Sequence, residues 1–247
     1  MRILRLSLFL ATLALASSAA PSAFAQGLNL FWNDCAGGSG AVINKTFTCD
    51  SNNGDPFTMF LSAYPPIEMP QFVAIEARID VLVNSTTLPA WWQMGTGECR
   101  ANALTSNCEP TTFGTISCLD IWDGASAVSI AQVVTAPAAY GFSYRLVGAI
   151  PSPSPIVADE VGQELVLGVV RLSRAKTVGA TACPGCFIGA CFVASEVKLE
   201  QASGVGDVIL TQPGVSNWVE FNGGTGHYNC YVPAVNRTWG AIKALYR

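Results

Sequence analysis

The chain has 247 residues; half are hydrophobic and only 12% are charged, so it can bury a sizeable core and is not globally disordered. Thirteen basic and 17 acidic residues give a net charge of −4, and no cluster of Lys or Arg is present. This charge pattern argues against binding to nucleic acid or to an anionic membrane surface. A single histidine, His227, excludes most chemistry that depends on histidine.

The first 25 residues have the pattern of a secretory signal peptide. Arg2 and Arg5 precede the apolar run Leu6–Ala16, which is too short to span a bilayer, and small residues occupy the −3 and −1 positions in Ala23-Phe24-Ala25. Cleavage is expected before Gln26, leaving residues 26–247 as one domain. The mature protein is therefore expected to be secreted, periplasmic or at the cell surface, without a membrane span.

Short segments with two-residue periodicity follow one another along the chain, separated by Gly, Pro, Asn and Ser. The clearest is Phe72–Asn84, where apolar residues alternate with Glu76, Arg78 and Asp80 and thus predict one buried and one solvated face. Leu165–Leu172 is almost continuously apolar, as expected of a central strand. The other predicted strands are Leu28–Trp32, Lys45–Cys49, Phe57–Leu61, Leu119–Trp122, Phe142–Leu146, Val193–Leu199, Val208–Leu210 and Trp218–Phe221.

Helical patterns are few. Ala125–Val134 fits one or two helical turns, and Thr238–Tyr246 is expected to form a short C-terminal helix that Thr238 caps. The linker-like segment Pro151–Pro155 is interpreted as a surface loop, and the sequence leaves open whether Gly124–Pro155 belongs to the sheets. Because β-α-β alternation is lacking, the fold class is predicted to be all-β: an antiparallel β-sandwich, Ig-like or jelly-roll in type, with about 8–10 strands.

Nine cysteines in an exported chain indicate disulfide cross-links, and the odd number leaves at least one thiol unpaired. The closest plausible bridges are Cys35–Cys49 and Cys99–Cys118. The cluster of Cys183, Cys186 and Cys191 is expected to supply one local bridge and one long-range bridge to Cys230. The candidates for disulfides are Cys35, Cys49, Cys99, Cys118, Cys183, Cys186, Cys191 and Cys230.

Cys183-Pro-Gly-Cys186 also has the C-x-x-C spacing of thiol oxidoreductases, which gives one enzymatic hypothesis. A structural role is favoured, because no helical periodicity follows the motif and Cys191 competes as a partner. A zinc site is disfavoured because exported thiols are oxidised, and the Asx- and Gly-rich segment Asp50–Asp55 is interpreted as a turn instead of a calcium loop. No metal and no cofactor are therefore expected.

Paired carboxylates are the basis of a second enzymatic hypothesis, an extracellular hydrolase. The candidate pairs are Glu76 with Asp80 and Asp120 with Asp123. Alternation along the strand places Glu76 and Asp80 on one face with Arg78, where a solvated row of ion pairs is the simpler interpretation. No catalytic residue is assigned, and an enzyme is the less favoured class.

Tryptophans supply the candidate binding site, which consists of Trp91, Trp92, Asp120 and Trp122. Exposed tryptophan faces beside polar residues bind sugars by stacking, and two adjacent tryptophans in a strand cannot both point inward. The alternative is that these rings fill the space between the sheets. The leading hypothesis is a secreted, non-enzymatic module with a binding or structural role, whose partner is a glycan or another extracellular protein.

The final twelve residues, Asn236–Arg247, read N-R-T-W-G-A-I-K-A-L-Y-R and resemble the terminal motif N-x-T-W-G-x-x-K-x-L-Y-R of a group of uncharacterised bacterial secreted proteins. Similar segments include Leu28–Cys35 and Gly204–Asp207, so the resemblance covers most of the mature chain. It implies one exported domain and brings no activity, ligand or catalytic residue. Cys108 departs from the pattern, which makes it the candidate for the free thiol.

Overall fold

The computed structural model describes residues 26–125, 127–135, 140–151, 155–158, 161–223 and 230. The predicted signal peptide, the predicted helix at Thr238–Tyr246 and His227 lie outside these ranges, so those expectations stay predictions. Within the described ranges, no helix has the length and apolar character needed to cross a membrane.

Nearly all regular structure in the described residues is β-strand, as predicted. Short 3₁₀ turns occur at Ala90–Trp92 and Pro110–Thr112. The strands are β1 Gly27–Trp32, β2 Asn44–Lys45, β3 Phe57–Tyr64, β4 Met69–Val83, β5 Leu104–Asn107, β6 Leu119–Asp120, β7 Val128–Thr135, β8 Gly141–Ala149, β9 Ile156–Ala158, β10 Leu165–Leu172, β11 Ala190–Gln201, β12 Val208–Leu210 and β13 Trp218–Phe221. Four of these strands have only two or three residues, and the nine longer ones agree with the expected number.

The strands form two sheets, which pack face to face as a β-sandwich. The first sheet has the order β1-β3-β10-β5, with β6 parallel to β10. The second sheet has the order β2-β13-β11-β4-β8-β7, with β12 also beside β11 and β9 beside β4. Apart from the short parallel pairs that involve β6 and β2, the ladders are antiparallel, so the predicted antiparallel β-sandwich is confirmed.

Alternation along β4 sets which side chains enter the core. Ile75, Ala77 and Ile79 are buried between the sheets, whereas Glu76 and Arg78 are exposed on the outer side of the second sheet. Strand β10 is buried on both faces, as its apolar sequence predicts. The sequence pattern of these two strands therefore fixes both the core and the solvated face.

The expectation of helical turns at Ala125–Val134 is wrong. Val128–Thr135 is strand β7, which pairs with β8 along its whole length, so this part of Gly124–Pro155 belongs to the sandwich. The segment has no charged residue, and several of its side chains are exposed because β7 lies at the edge of the sheet. A strand that is partly exposed on both faces gives no clear two-residue alternation, which is why the pattern misleads.

Four disulfides connect distant parts of the chain: Cys35–Cys118, Cys49–Cys186, Cys99–Cys183 and Cys191–Cys230. They use all eight candidate cysteines. The predicted local bridges Cys35–Cys49 and Cys99–Cys118 are wrong, since each partner instead joins a segment at least 83 residues away. The predicted long-range bridge to Cys230 is present. The local bridge expected within the cluster is wrong, because Cys183, Cys186 and Cys191 each pair with a cysteine outside it.

Cys183 and Cys186 do not pair with each other, so the C-x-x-C motif does not form the local redox disulfide that a thiol oxidoreductase needs. Each of the two sulfurs instead fastens the Cys183–Cys191 loop to a different segment. Cys108, the expected free thiol, is unpaired and buried.

Candidate binding site

The tryptophans of the predicted sugar site are in the core. Trp91, Trp92 and Trp122 each expose 0% of their surface, so they cannot stack on a ligand, and this expectation is wrong. Trp91 and Trp92 lie on a 3₁₀ turn, where successive side chains are about 120° apart instead of 180°, so both can face inward. Their rings pack against Phe221 with centroids 5.4 and 5.3 Å away.

Asp120, the polar member of the same predicted site, stabilises a turn. Its carboxylate accepts hydrogen bonds from the backbone amides of Trp122 and Gly124, each 2.9 Å long. These bonds hold the chain where it leaves β6. The structure therefore gives Asp120 a local role and does not place it beside an exposed aromatic ring.

Of the carboxylate pairs proposed for hydrolysis, Glu76 with Asp80 does not have the required geometry. Glu76 and Asp80 are four residues apart on one strand, a separation of about 13 Å, whereas catalytic carboxylates are about 5–10 Å apart. Asp80 also accepts hydrogen bonds from Arg78 at 2.9 Å and Ser143 at 2.5 Å. The predicted ion pair on this face is present as Arg78–Asp80. The pair Asp120 with Asp123 stays a prediction, with Asp120 held in its turn by the two backbone amides.

A buried acid that the sequence did not reveal is Glu164, which is 8% exposed. Both of its oxygens accept hydrogen bonds from the chain itself, at distances from 2.5 to 3.4 Å. Burial and the adjacent Glu164 carboxylate raise the pKa of Tyr64. The donors are Asn29, Ala36, Gly37, Ser62 and Tyr64, so Glu164 organises the loop after β1.

A groove of about 420 Å³ lies on the outer side of the second sheet, where β11, β4, β8 and β7 run side by side. Its wall combines charged and aliphatic side chains and contains no aromatic residue. The lining residues are Glu76, Ala77, Arg78, Ile130, Ala131, Gln132, Arg145, Leu146, Val147 and Glu196.

The strand register arranges the polar side chains of the groove in one row. Glu196 of β11 lies opposite Arg78 of β4, which lies opposite Arg145 of β8, which lies opposite Gln132 of β7. Side chains that are directly opposite on one face of a sheet are in contact range. The row therefore places two guanidinium groups next to each other in the middle of the groove.

The two arginines differ in their partners. Arg78 donates from Nε to Asp80 at 2.9 Å. Arg145 is exposed, and none of the ion pairs found among the described residues includes it. Like charges directly opposite each other destabilise a sheet. Glu76 and Glu196 balance the two arginines in the groove as a whole, but Arg145 itself has no ion-pair partner among the described residues, so it can bind an added anionic group.

Aliphatic side chains border Arg145 on the β7 side. Ile130 is 76% exposed and Val128 is 55% exposed, and Val147 lies opposite Ile130 in the ladder. Exposed aliphatic groups that adjoin one another are apolar surface that a binding partner can cover. The groove thus offers a cationic group and an apolar strip side by side.

Metal binding finds little support in the described residues. The group of potential ligands found there is Cys191, Glu220 and Cys230, whose ligand atoms lie within 4.8 Å of one another. Both sulfurs of this group are joined in a disulfide, so they are not thiolates that could bind a metal.

Comparison with known proteins gives a distant structural similarity. No protein-family model matches the chain, and no curated protein matches it. Among solved structures, a type III cohesin module from the cellulosomal cell-surface anchoring scaffoldin ScaE of Ruminococcus flavefaciens is 13% identical, with 83% of this chain and 92% of that chain covered at a TM-score of 0.29. At this TM-score the two structures differ too much for the cohesin's properties to be transferred to this chain.

Proposed function

We propose that this protein is an extracellular binding module whose ligand occupies the groove on the outer side of the second sheet. In this proposal the ligand presents a carboxylate to Arg145 and Arg78 and an aliphatic group to Ile130 and Val147. The observation that carries the proposal is the pair of adjacent arginines, of which Arg145 has no acidic partner among the described residues.

A ligand carboxylate at this position would remove the repulsion between the two guanidinium groups and gain charge-assisted hydrogen bonds. Such bonds contribute about 1.5–3 kcal/mol each when the partner is charged. The four disulfides support an oxidising, extracytoplasmic location, and they make the sheets a rigid support for the groove.

The composition of the groove also restricts the ligand class. A neutral glycan is disfavoured because sugar sites use aromatic rings for stacking, and none lines this groove. A polyanion is disfavoured because Glu76 and Glu196 lie beside the arginines and would repel a second negative charge. The ligand that fits has one carboxylate next to an apolar group.

A carboxylate-dependent hydrolase is the second candidate, with a different pair of acids from those expected. Glu76 and Glu196 are diagonal neighbours on adjacent strands, a separation of about 7–8 Å between Cα atoms. Binding is favoured over hydrolysis because an acid catalyst is normally buried, whereas both side chains are exposed.

The proposal is tested by binding to the full mature chain, with a display library of random 12-residue peptides and an array of neutral and uronic-acid glycans as probes. We expect ligands with a carboxylate to bind, and Arg145→Gln to weaken them at least tenfold. Glu76→Gln is the matched control in the same groove, where removal of a negative charge should leave the affinity unchanged or raise it. Failure of both probes, or binding that Arg145→Gln leaves unchanged, would contradict the proposal.

The hydrolase candidate is tested on the same variants. Release of reducing sugar or peptide fragments by the wild type, abolished by Glu76→Gln, would establish hydrolysis in place of binding. We expect no turnover above the buffer control.

A further inference from the structure

We infer that the ligand is an extended polypeptide that adds as a new antiparallel or parallel strand to the free edge of β7 and extends an acidic side chain over the sheet into the groove. The inference rests on the proposed function, because it uses Arg145 as the group that recognises an acidic side chain of the added strand. It names the class of partner, which is another protein with an accessible extended segment.

The strand register shows which backbone N–H and C=O groups of β7 point outward, away from β8. Val83 donates to Tyr140 at 2.9 Å and Ile150 donates to Val73 at 3.1 Å, so the even-numbered residues of β8 bond to β4. Hydrogen-bonding direction alternates along a strand, so the odd-numbered residues of β8 bond to β7. Their partners on β7 are the even-numbered residues from Val128 to Val134.

The odd-numbered residues of β7 must therefore point their N–H and C=O groups away from β8. These residues are Ser129, Ala131 and Val133, and no backbone hydrogen bond to them from beyond β8 is found in the described part of the chain. Unpaired backbone groups in a row form a template for another strand.

The edge of the other sheet shows how this protein covers such a row. Leu28 of β1 donates to Gln212 at 2.9 Å and Leu30 donates to Ser216 at 2.8 Å, so a loop occupies the outer side of β1. Among the described residues, no loop bonds to the outward backbone groups of β7, although β5 of the first sheet lies close to it at Ser129. It also contains no charged residue and no proline, which are the usual means of protecting an edge.

Exposure of β7 on both faces leaves space for an added strand. Ile130 and Gln132 are exposed on the outer face, and Ala131 is exposed even though its side chain is on the face directed towards the first sheet. The first sheet reaches this edge at Ser129, whose hydroxyl donates to the Ser106 carbonyl of β5 at 3.5 Å. The space for an added strand is therefore at Ala131 and towards Val133.

Charge complementarity identifies the occupant as a foreign segment with an acidic residue. A residue opposite Gln132 on an added strand is in the same row as Arg145, two strands away or about 9–10 Å, and extended glutamate and arginine side chains together bridge that distance. A residue two positions along the added strand lies opposite Ile130. The expected recognition element is an acidic and an aliphatic residue separated by one position.

Two other occupants fit less well. A second copy of this chain pairing through β7 would bring only uncharged residues, so both copies of Arg145 would stay unbalanced. Residues 231–247 of the same chain carry three basic and no acidic side chains, so they would increase the positive charge beside Arg145.

The test uses a display library of random 12-residue peptides selected on the full mature protein and counted again on two variants. Ala131→Pro removes one outward N–H and leaves the β7–β8 bonds in place, since proline is tolerated on a strand edge. Ala131→Ser is the matched control, because it changes the same exposed side chain and keeps the N–H. We expect selected peptides to contain the acidic–x–aliphatic pattern and to bind at least tenfold more weakly to Ala131→Pro only.

A second measurement leaves the protein unchanged, so that folding of the proline variant is not in question. A selected peptide is synthesised with backbone N-methyl groups at alternate residues in two complementary sets. We expect one set to lose binding at least thirtyfold, because its N–H groups face β7, and the other set to retain it. Equal effects of the two sets would overturn strand addition.

The outcomes separate the inference from the proposed function. One outcome would overturn the inference and leave the groove as the binding site. In this outcome Arg145→Gln weakens the binding of a peptide or glycan, whereas Ala131→Pro does not, and neither set of N-methyl groups weakens the binding of a peptide. Ligands insensitive to Arg145→Gln would overturn both. A dimer seen by light scattering and lost in Ala131→Pro would show that the edge binds a second copy, which also overturns the inference.

Discussion

Replacement of Arg145 by glutamine should stabilise the free protein, because it removes one of two like charges that lie directly opposite each other. Two unit charges about 6 Å apart in water repel each other by about 0.7 kcal/mol. This agrees with the range of about 0.2–1 kcal/mol measured for cross-strand pairs. We therefore expect Arg145→Gln to raise the free energy of unfolding by about 0.3–0.8 kcal/mol at low ionic strength.

Urea unfolding with the disulfides intact measures this effect at 10 mM and at 1 M NaCl. Screening at 1 M salt, where the Debye length is about 3 Å, should reduce the gain to about 0.1 kcal/mol. Arg78→Gln is the informative comparison, since it removes the same repulsion but also the 2.9 Å ion pair with Asp80. A loss of stability in Arg145→Gln at low salt would show that Arg145 has an acidic partner in the chain and would refute the reasoning.

Three further predictions concern the interior. Burial raises the pKa of the Cys108 thiol to about 12, so about one thiol in ten thousand is ionised at pH 8. A disulfide reagent should therefore not label Cys108 in the native protein and should label one thiol per chain in guanidinium. Rapid labelling of the native protein would contradict this prediction. Gly148→Ala places a Cβ 2.5 Å from the Cys108 sulfur and should lower the free energy of unfolding by about 1–3 kcal/mol. Adding Cys108→Ala to this variant should restore most of the lost stability. If the destabilising effects of the two substitutions simply add, the sulfur is not the obstacle. Serine at both Cys99 and Cys183 removes a bridge with a sequence separation of 84, but Cys35–Cys118 and Cys49–Cys186 already shorten the path between these residues. For the remaining loop of roughly 36 residues, the free energy of unfolding should fall by about 4 kcal/mol, and a loss below about 1 kcal/mol in urea would contradict the bridge.

The parts of the fold that the sequence predicts well are strands with a clear local pattern of apolar residues. The bounds predicted for Leu165–Leu172, Val208–Leu210 and Trp218–Phe221 are those observed, and the long strand β4 begins three residues earlier and ends one residue earlier than expected. In each case, burial on one face or both produces either alternating or continuous apolar residues in the sequence. The fold class follows from the number and spacing of such segments.

Strand β7 is not predicted from the sequence because its residues show no pattern of burial. An edge strand without charge shows neither alternation nor a continuous apolar run, and only its pairing with β8 makes it a strand. Trp91 and Trp92 were misplaced for a related reason. Their inward orientation depends on a 3₁₀ turn, whose geometry the two-residue rule for strands does not describe.

The disulfides and the groove depend on register and on contacts between distant segments. Cys49 is close in sequence to Cys35, but the fold carries it to Cys186, which is 137 positions further along the chain. Arg78 was expected on the outer face, whereas nothing in the sequence indicated that Arg145 lies opposite it. The register of β4 against β8 creates the arginine pair, and no local pattern reports a register.

The free edge of β7 beside Arg145 is the central claim, and residue-resolved amide hydrogen exchange tests it most directly. In the free protein, the amides of Ser129, Ala131 and Val133 should exchange with little protection, while those of Ile130 and Gln132 should be protected by their bonds to β8. A peptide selected on the groove should then protect the first three amides at least tenfold. Protection of those three amides already in the free protein, or no change when the peptide binds, would contradict the account.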